Sequence, residues 1–204
     1  MIIDLINHVG IFFFAISGLL TAADKDMDLL GGIFIAFMTS IGGGTIRDVL
    51  LSVEVEWLKS LSYISVVFAG AIVGIIFRER IKEMRRTFFI FDTIGLGLFA
   101  VYGIEKSLGL EQYPVVAIFL GVITATFGGV LRDVLCNEIP LVFRKEIYAT
   151  AVIVGGVFYM IISVLGWFST EFNAIVSALI IMIIRVLAVW KKWQMPQIRE
   201  ISKW

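Results

Sequence analysis

The chain has 204 residues, is 59% hydrophobic, and carries 17 basic and 17 acidic side chains. Its mean hydropathy of +0.97 excludes an ordinary soluble domain, since such domains are only about 45–50% apolar. Zero net charge excludes a bulk electrostatic attraction to nucleic acid, and the single cysteine, Cys136, excludes an internal disulfide.

Apolar segments of the length that crosses a bilayer core, about 20 residues, run over 2–22, 29–51, 60–77, 88–105, 113–136, 147–167 and 171–190. The first opens Met1-Ile2-Ile3-Asp4 without a basic leader or cleavage pattern, so it is expected to be retained as a span. It carries Asn7, Gly10, Phe14 and Ser17 at 3-4-3 spacing, which puts small and polar groups on one helical face. The second places Thr39, Gly43 and Arg47 at i, i+4 and i+8, within the run Gly42-Gly43-Gly44 and next to Asp48. The third holds Gly70 and Gly74 at the spacing of close helix packing. A basic run, Arg78 to Arg86, follows. It reads first as a topology determinant and second as a site for anionic lipid headgroups. The fourth span repeats the first stripe as Asp92, Gly95, Phe99 and Tyr102, and the fifth repeats the second as Thr124, Gly128 and Arg132, flanked by Gly129 and Asp133. The seventh ends in Trp190, Lys191, Lys192 and Trp193, with Trp204 beyond, an interfacial anchor. His8 is the only histidine, and no metal site or cofactor is expected.

These recurrences share one offset. Residues 39–50 lie over 124–135 without a gap, 85 positions apart, with seven of twelve identical, and the same offset pairs Tyr63 with Tyr148. Twelve Lys and Arg fall in one set of alternate loops (Lys25, the 78–86 run, Arg144, Lys145 and the tail) against Lys59 and Lys106 in the other. The positive-inside rule puts the N-terminus outside and the C-terminus in the cytoplasm. Each repeat holds three spans, so its copy must start from the opposite face of the membrane. The expected architecture is an all-α integral membrane protein of seven transmembrane helices. Two inverted three-helix repeats, 1–80 and 81–166, precede a seventh span and cytoplasmic tail, 167–204, that packs outside the pair.

Two readings of the glycine clusters stand. Runs of glycine break or kink a helix, and broken helices line aqueous paths. Small residues also let helices approach closely. Arg47 and Arg132 lie inside spans, where a charge costs roughly 2.5–3.5 kcal/mol on insertion scales. Asp48 and Asp133 are the nearest counter-charges, although adjacent helical residues face each other poorly. Asp92 is read either as an N-cap or as a buried partner for a cation or an arginine. Phe14 and Phe99 read as packing, or as a hydrophobic constriction if they face a lumen. No Ser-His or zinc constellation is present, so no enzyme is expected.

The doubled motif, Gly42-Gly43-Gly44-Thr45-Ile46-Arg47-Asp48-Val49-Leu50 and Phe127-Gly128-Gly129-Val130-Leu131-Arg132-Asp133-Val134-Leu135, resembles the prokaryotic branch of the trimeric intracellular cation channel family. Ala15-Ile16-Ser17-Gly18 and Phe91-Asp92-Thr93-Ile94-Gly95 resemble that family's first and fourth spans. The resemblance implies a homotrimer in a prokaryotic inner membrane, with one pore per protomer for monovalent cations, mainly potassium. It implies that spans one, two, four and five surround the pore and that spans two and five bend at the glycines. Some bacterial relatives are labelled glycine transporters, which keeps a carrier for a small zwitterion as the alternative. Within the channel reading, Arg47 and Arg132 are expected to be closing latches rather than ion ligands. Thr39, Thr124 and the glycine carbonyls would supply oxygens to a permeating ion.

Overall fold

The computed structural model describes residues 2–82 and 85–196, without the side chains of 77, 79–82 and 85–87. Its eight α-helices are α1 (Ile2–Asp24), α2 (Leu29–Leu50), α3 (Glu56–Lys59), α4 (Leu61–Lys82), α5 (Arg85–Gly109), α6 (Pro114–Leu135), α7 (Ala149–Leu165) and α8 (Thr170–Trp190), with a 3-10 turn at Leu141–Phe143. Local chemistry sets several boundaries. Asp28 caps α2 by accepting from the Gly31 amide, and Ser169 caps α8 through the Phe172 amide. Pro114 opens α6 where its missing N–H costs nothing. Gly166, at φ +65°, ends α7 in the left-handed conformation that suits glycine.

Burial is inverted relative to a soluble protein. Leu30, Phe34, Phe119, Val164 and Trp167 are exposed, whereas the three largest fully buried side chains are Arg47, Arg132 and Arg185. An apolar exterior around a polar interior is what a lipid solvent demands. Among the described residues, five helices are long and apolar enough to cross a membrane: Ile2–Asp24, Leu29–Leu50, Phe88–Gly109, Pro114–Leu135 and Thr170–Trp190. Leu61–Ile76 and Ala149–Leu165 are shorter apolar helices. The chain is an all-helical integral membrane protein. The basic run lies on the end of α4 and the start of α5 rather than in an extended loop. Apart from Arg78, its side chains lie outside the described residues, as do those of the tail beyond residue 196, including Trp204.

Helices α1, α2, α5 and α6 pack mutually at the centre, with α4 against α1, α7 against α6, and α8 against α5 and α7. The centre is where the glycines act. A Cβ on Gly43 would collide with the carbonyl oxygen of Thr124, and one on Gly128 with that of Thr39. Both α2 and α6 run as unbroken α-helix through their glycines, and none of these glycines has positive φ. The glycines therefore do not interrupt either helix. Gly43 and Gly128 are there for backbone-on-backbone contact, the close-packing alternative.

Secondary contacts repeat in pairs around that crossing. A Cβ on Gly18 would lie 2.6 Å from the Thr39 hydroxyl oxygen, and one on Gly103 would lie 2.5 Å from that of Thr124. Phe14 packs over Gly95 and Phe99 over Gly10, and the two rings meet edge to face at 5.0 Å. The duplicated sequence thus folds into duplicated packing.

Candidate functional site: two charged clusters flanking a dry crossing

The α2–α6 crossing separates two polar clusters. The first is built at the C-terminal end of α2. Arg47 donates from Nε and Nη2 to Asp48 Oδ1, at 2.9 and 2.8 Å, and from Nη2 to Glu56 Oε2 at 3.4 Å. Asp48 Oδ2 accepts the Glu56 amide at 3.1 Å, which folds the segment after α2 back onto the helix end. Lys106 Nζ, from α5, donates to Asp48 Oδ1 and Glu56 Oε1, both at 2.7 Å. Asn7 Nδ2 and the Tyr102 hydroxyl also donate to the Glu56 carboxylate. The Tyr102 ring lies under the Arg47 guanidinium, 4.9 Å from its centroid. Burial opposes the charge on Glu56. The Lys106 and Tyr102 hydrogen bonds and the positive charge of Arg47 outweigh that cost and hold its carboxyl below the usual carboxylate range.

The second cluster repeats the scaffold with other parts. Arg132 Nε donates to Asp133 Oδ1 at 2.8 Å, and Asp133 Oδ2 accepts the Leu141 amide at 3.0 Å. Arg132 Nη1 donates to Asp92 Oδ1 at 2.7 Å and to Ser17 Oγ at 2.8 Å, while the Phe88 ring packs on its guanidinium at 4.7 Å. Arg185, from α8, approaches the other oxygen of Asp92 at 3.5 Å, and Tyr148 reaches Oδ1 at 3.5 Å.

The first cluster sets Arg47 and Lys106 against Asp48 and Glu56, and the second sets Arg132 and Arg185 against Asp92 and Asp133, with Glu146 also beside Arg185. Their spacing follows from α1 and α5. Asn7 and Tyr102 belong to the first cluster, Ser17 and Asp92 to the second. The two helices therefore run in opposite senses, and ten residues, about 15 Å of helix, separate the clusters.

Between them α2 and α6 are in close backbone contact. Thr39 and Thr124 are fully buried and donate their hydroxyls to their own helices, at Ile35 O and Leu120 O, both 2.6 Å. The Thr39 and Thr124 carbonyls press on the facing glycines, Gly128 and Gly43. A cavity beside the first cluster reaches inward past Asn7, Ser40 and Arg47 and ends at Phe99 and Thr124. Its volume of about 20 Å³ takes one water-sized occupant.

Most residues singled out from the sequence come together here. Gly42 meets Leu131 across the crossing, Gly44 borders the cavity, and Gly129 lies beneath the Tyr148 hydroxyl. Three open readings are decided. Asp92 lies well inside α5, not at its N-cap. Arg47 and Arg132 do pair with the adjacent aspartates, because the long arginine side chain curls back at a helix end. Phe14 and Phe99 pack against each other, and Phe99 also forms the cavity floor. Glu56, Lys106 and Arg185 escaped the sequence reading as site residues. Position 56 corresponds to Leu141 and 106 to Thr21, so no repeat signal marked them. His8 stacks on Tyr63 at 4.7 Å, and among the described residues no group of His, Cys, Asp or Glu has a metal-binding arrangement.

Comparison with known proteins accounts for the pairing. The family model described as "Glycine transporter" matches residues 4–79 and 89–163, one stretch per repeat. The "TRIC trimeric intracellular cation channel orthologue from Rhodobacter sphaeroides" superimposes with a TM-score of 0.87 at 34% identity, over 93% of this chain and 98% of that one. The chain belongs to the trimeric intracellular cation channel family. A "prokaryotic TRIC channel in 0.5 M KCl" also matches, with a TM-score of 0.87 at 32% identity, over 94% of this chain and 98% of that one. Among curated relatives, a membrane protein of Vibrio cholerae is 40% identical over 81% of this chain and 70% of its own length. The inner membrane protein YadS of Escherichia coli K12 is 37% identical over 77% of each. Within this family fold, both Arg-Asp pairs lie in the matched stretches, whereas α8 and Arg185 lie outside them.

Proposed function

We propose that the chain is a potassium-preferring monovalent cation channel, with one pore per protomer lined by α1, α2, α5 and α6. The carrying observation is the pair of clusters, each setting at least two carboxylates against two cations, at the two ends of one polar column. Bare arginines in a cation path would repel the ion, and the carboxylates of each cluster cancel that repulsion. Arg47 and Arg132 then act as latches. Each holds its end of the column shut through carboxylates on neighbouring segments, and α2 and α6 must part at Gly43 and Gly128 before an ion passes. The pore-lining and gating set is that expected from the sequence, with Thr39 and Thr124 offering oxygens only once the crossing opens.

The protomer is read as seven spans in two inverted repeats, 1–80 and 81–166, followed by 167–204. The opposed run of α1 and α5 supports the inversion. Lys25 pairs with Glu138, Arg144 with Glu138, and Met195 N–H with Lys145 O. These contacts support one common face for the loops assigned to the cytoplasm, with the N-terminus opposite. Homotrimeric assembly and an inner-membrane location follow the relatives.

Planar-bilayer recording of the purified protein in potassium gradients tests the reading. Unitary cation currents are expected, with open probability raised in Arg47→Ala and Arg132→Ala. Saturable glycine exchange in proteoliposomes with no unitary current would replace the channel with a carrier.

A further inference from the structure

Arg185 is the one cation in either cluster that the duplicated part of the chain does not supply. It reaches in from α8, is 1% exposed, and lies 3.5 Å from Asp92 Oδ2. Groups independent of Arg132 hold it there. Its Nη1 donates to Ile147 O at 3.2 Å and lies 3.5 Å from Glu146 Oε2. Its guanidinium lies between the rings of Tyr148 and Phe89, at 4.5 and 5.0 Å. The chain beyond α8 ties down the same segment, through a bridge between Glu146 and Gln194 and a Met195 N–H to Lys145 O bond of 2.8 Å.

Asp92 is fully buried and divides its oxygens, Oδ1 to Arg132 at 2.7 Å and Oδ2 to Arg185 at 3.5 Å. A buried carboxylate that loses its last cation is strongly destabilised. Arg132 can therefore leave Asp92 cheaply only where a second cation remains. The first cluster meets the same requirement differently, since Lys106 touches both carboxylates that Arg47 holds.

Resting on the channel reading, we propose that Arg185 is the retained counter-ion of the inner latch, closing on Asp92 as Arg132 swings away and so lowering the cost of opening. The two arginines on one carboxylate then have opposite effects on gating. Removing Arg132 unlocks the latch. Removing Arg185 makes Asp92 cling to Arg132 and holds it shut.

The test compares wild type, Arg132→Gln, Arg185→Gln and Glu146→Gln as full-length protein in planar bilayers. Arg185→Gln is expected to lower the open-to-closed ratio about tenfold or more at unchanged unitary conductance, with Arg132→Gln raising it. Glu146→Gln, at a half-buried position, releases Arg185 toward Asp92 and is expected to raise the ratio, so it carries the test if Arg185→Gln does not fold. An unchanged or raised ratio in Arg185→Gln, or no rise in Glu146→Gln, overturns the proposal. A second readout does not depend on current: modification by a water-soluble thiol reagent of Ser17→Cys in a Cys136→Ser background. It should slow when Arg185→Gln is added, and an unaltered rate overturns the counter-ion role. Absence of wild-type current with slowed modification overturns the channel reading alone.

Discussion

The two charged clusters are built on one template and end up physically unlike. In both, an arginine bonds the next aspartate, and that aspartate caps the backbone eight positions on. Where the first copy has Glu56 the second has Leu141, and where the first has Asn7 the second has Asp92. The first cluster therefore takes its second carboxylate, Glu56, from a segment outside the spans, beside a cavity, with Glu56 and Lys106 partly exposed. The second takes its own, Asp92, from helix α5, fully buried, and pairs it with an arginine from outside the repeat. Duplication fixes the skeleton of each cluster. Substitutions at a few paired positions decide how buried it is and where its remaining charges come from.

The largest expected effect breaks what the two regions share. Gly43→Val or Gly128→Val puts side-chain atoms into a backbone carbonyl of the opposing helix and should cost 3 kcal/mol or more, roughly the upper range for overpacking. Gly109→Ala, where a Cβ meets nothing within 4 Å, should leave the melting temperature in detergent unchanged. Equal melting temperatures for the crossing variants and Gly109→Ala would refute a close-packed crossing.

The next prediction separates the clusters. Asp92→Asn strands Arg132 and Arg185 together in a buried site and should cost about 3–5 kcal/mol. Glu56→Gln should cost less, about 1–2 kcal/mol, because Lys106 and Arg47 keep Asp48. Glu56 also makes the first cluster acid-sensitive. Its folded-state pKa lies below the unfolded value, so its contribution is complete above about pH 4.3 and is lost as pH falls through the lowered folded value. Wild type should lose more thermal stability than Glu56→Gln as pH is taken from 6 to about 3, and parallel curves would contradict this assignment. The smallest effect lies at the exposed end. Lys25 and Glu138 attract each other and reinforce each other's charge, but solvent and salt screen the pair. Lys25→Ala should leave the melting temperature in high salt unmoved, and a large drop would mean that this contact fastens the α1–α2 loop to the α6–α7 loop.

Hydropathy alone located the helices to within a few residues over most of the chain, because a lipid solvent forces each crossing to be a long, self-satisfied apolar helix. The 85-residue offset alone paired Arg47-Asp48 with Arg132-Asp133, since a repeat preserves position as well as residue type, and the family resemblance brought spans one, two, four and five forward as the central set. Tertiary structure decided what the glycines do. A glycine run reads equally as a break or as a contact until the opposing backbone is in place, and here Thr124 O and Thr39 O occupy the space a side chain would need. It also decided the partners of the charges. Glu56, Lys106 and Arg185 come from a short loop helix, the far end of α5 and the unrepeated α8, and no local spacing tells a sequence which distant charge will face a buried arginine. Electrostatic pairing is a property of positions in space, and those were set by packing.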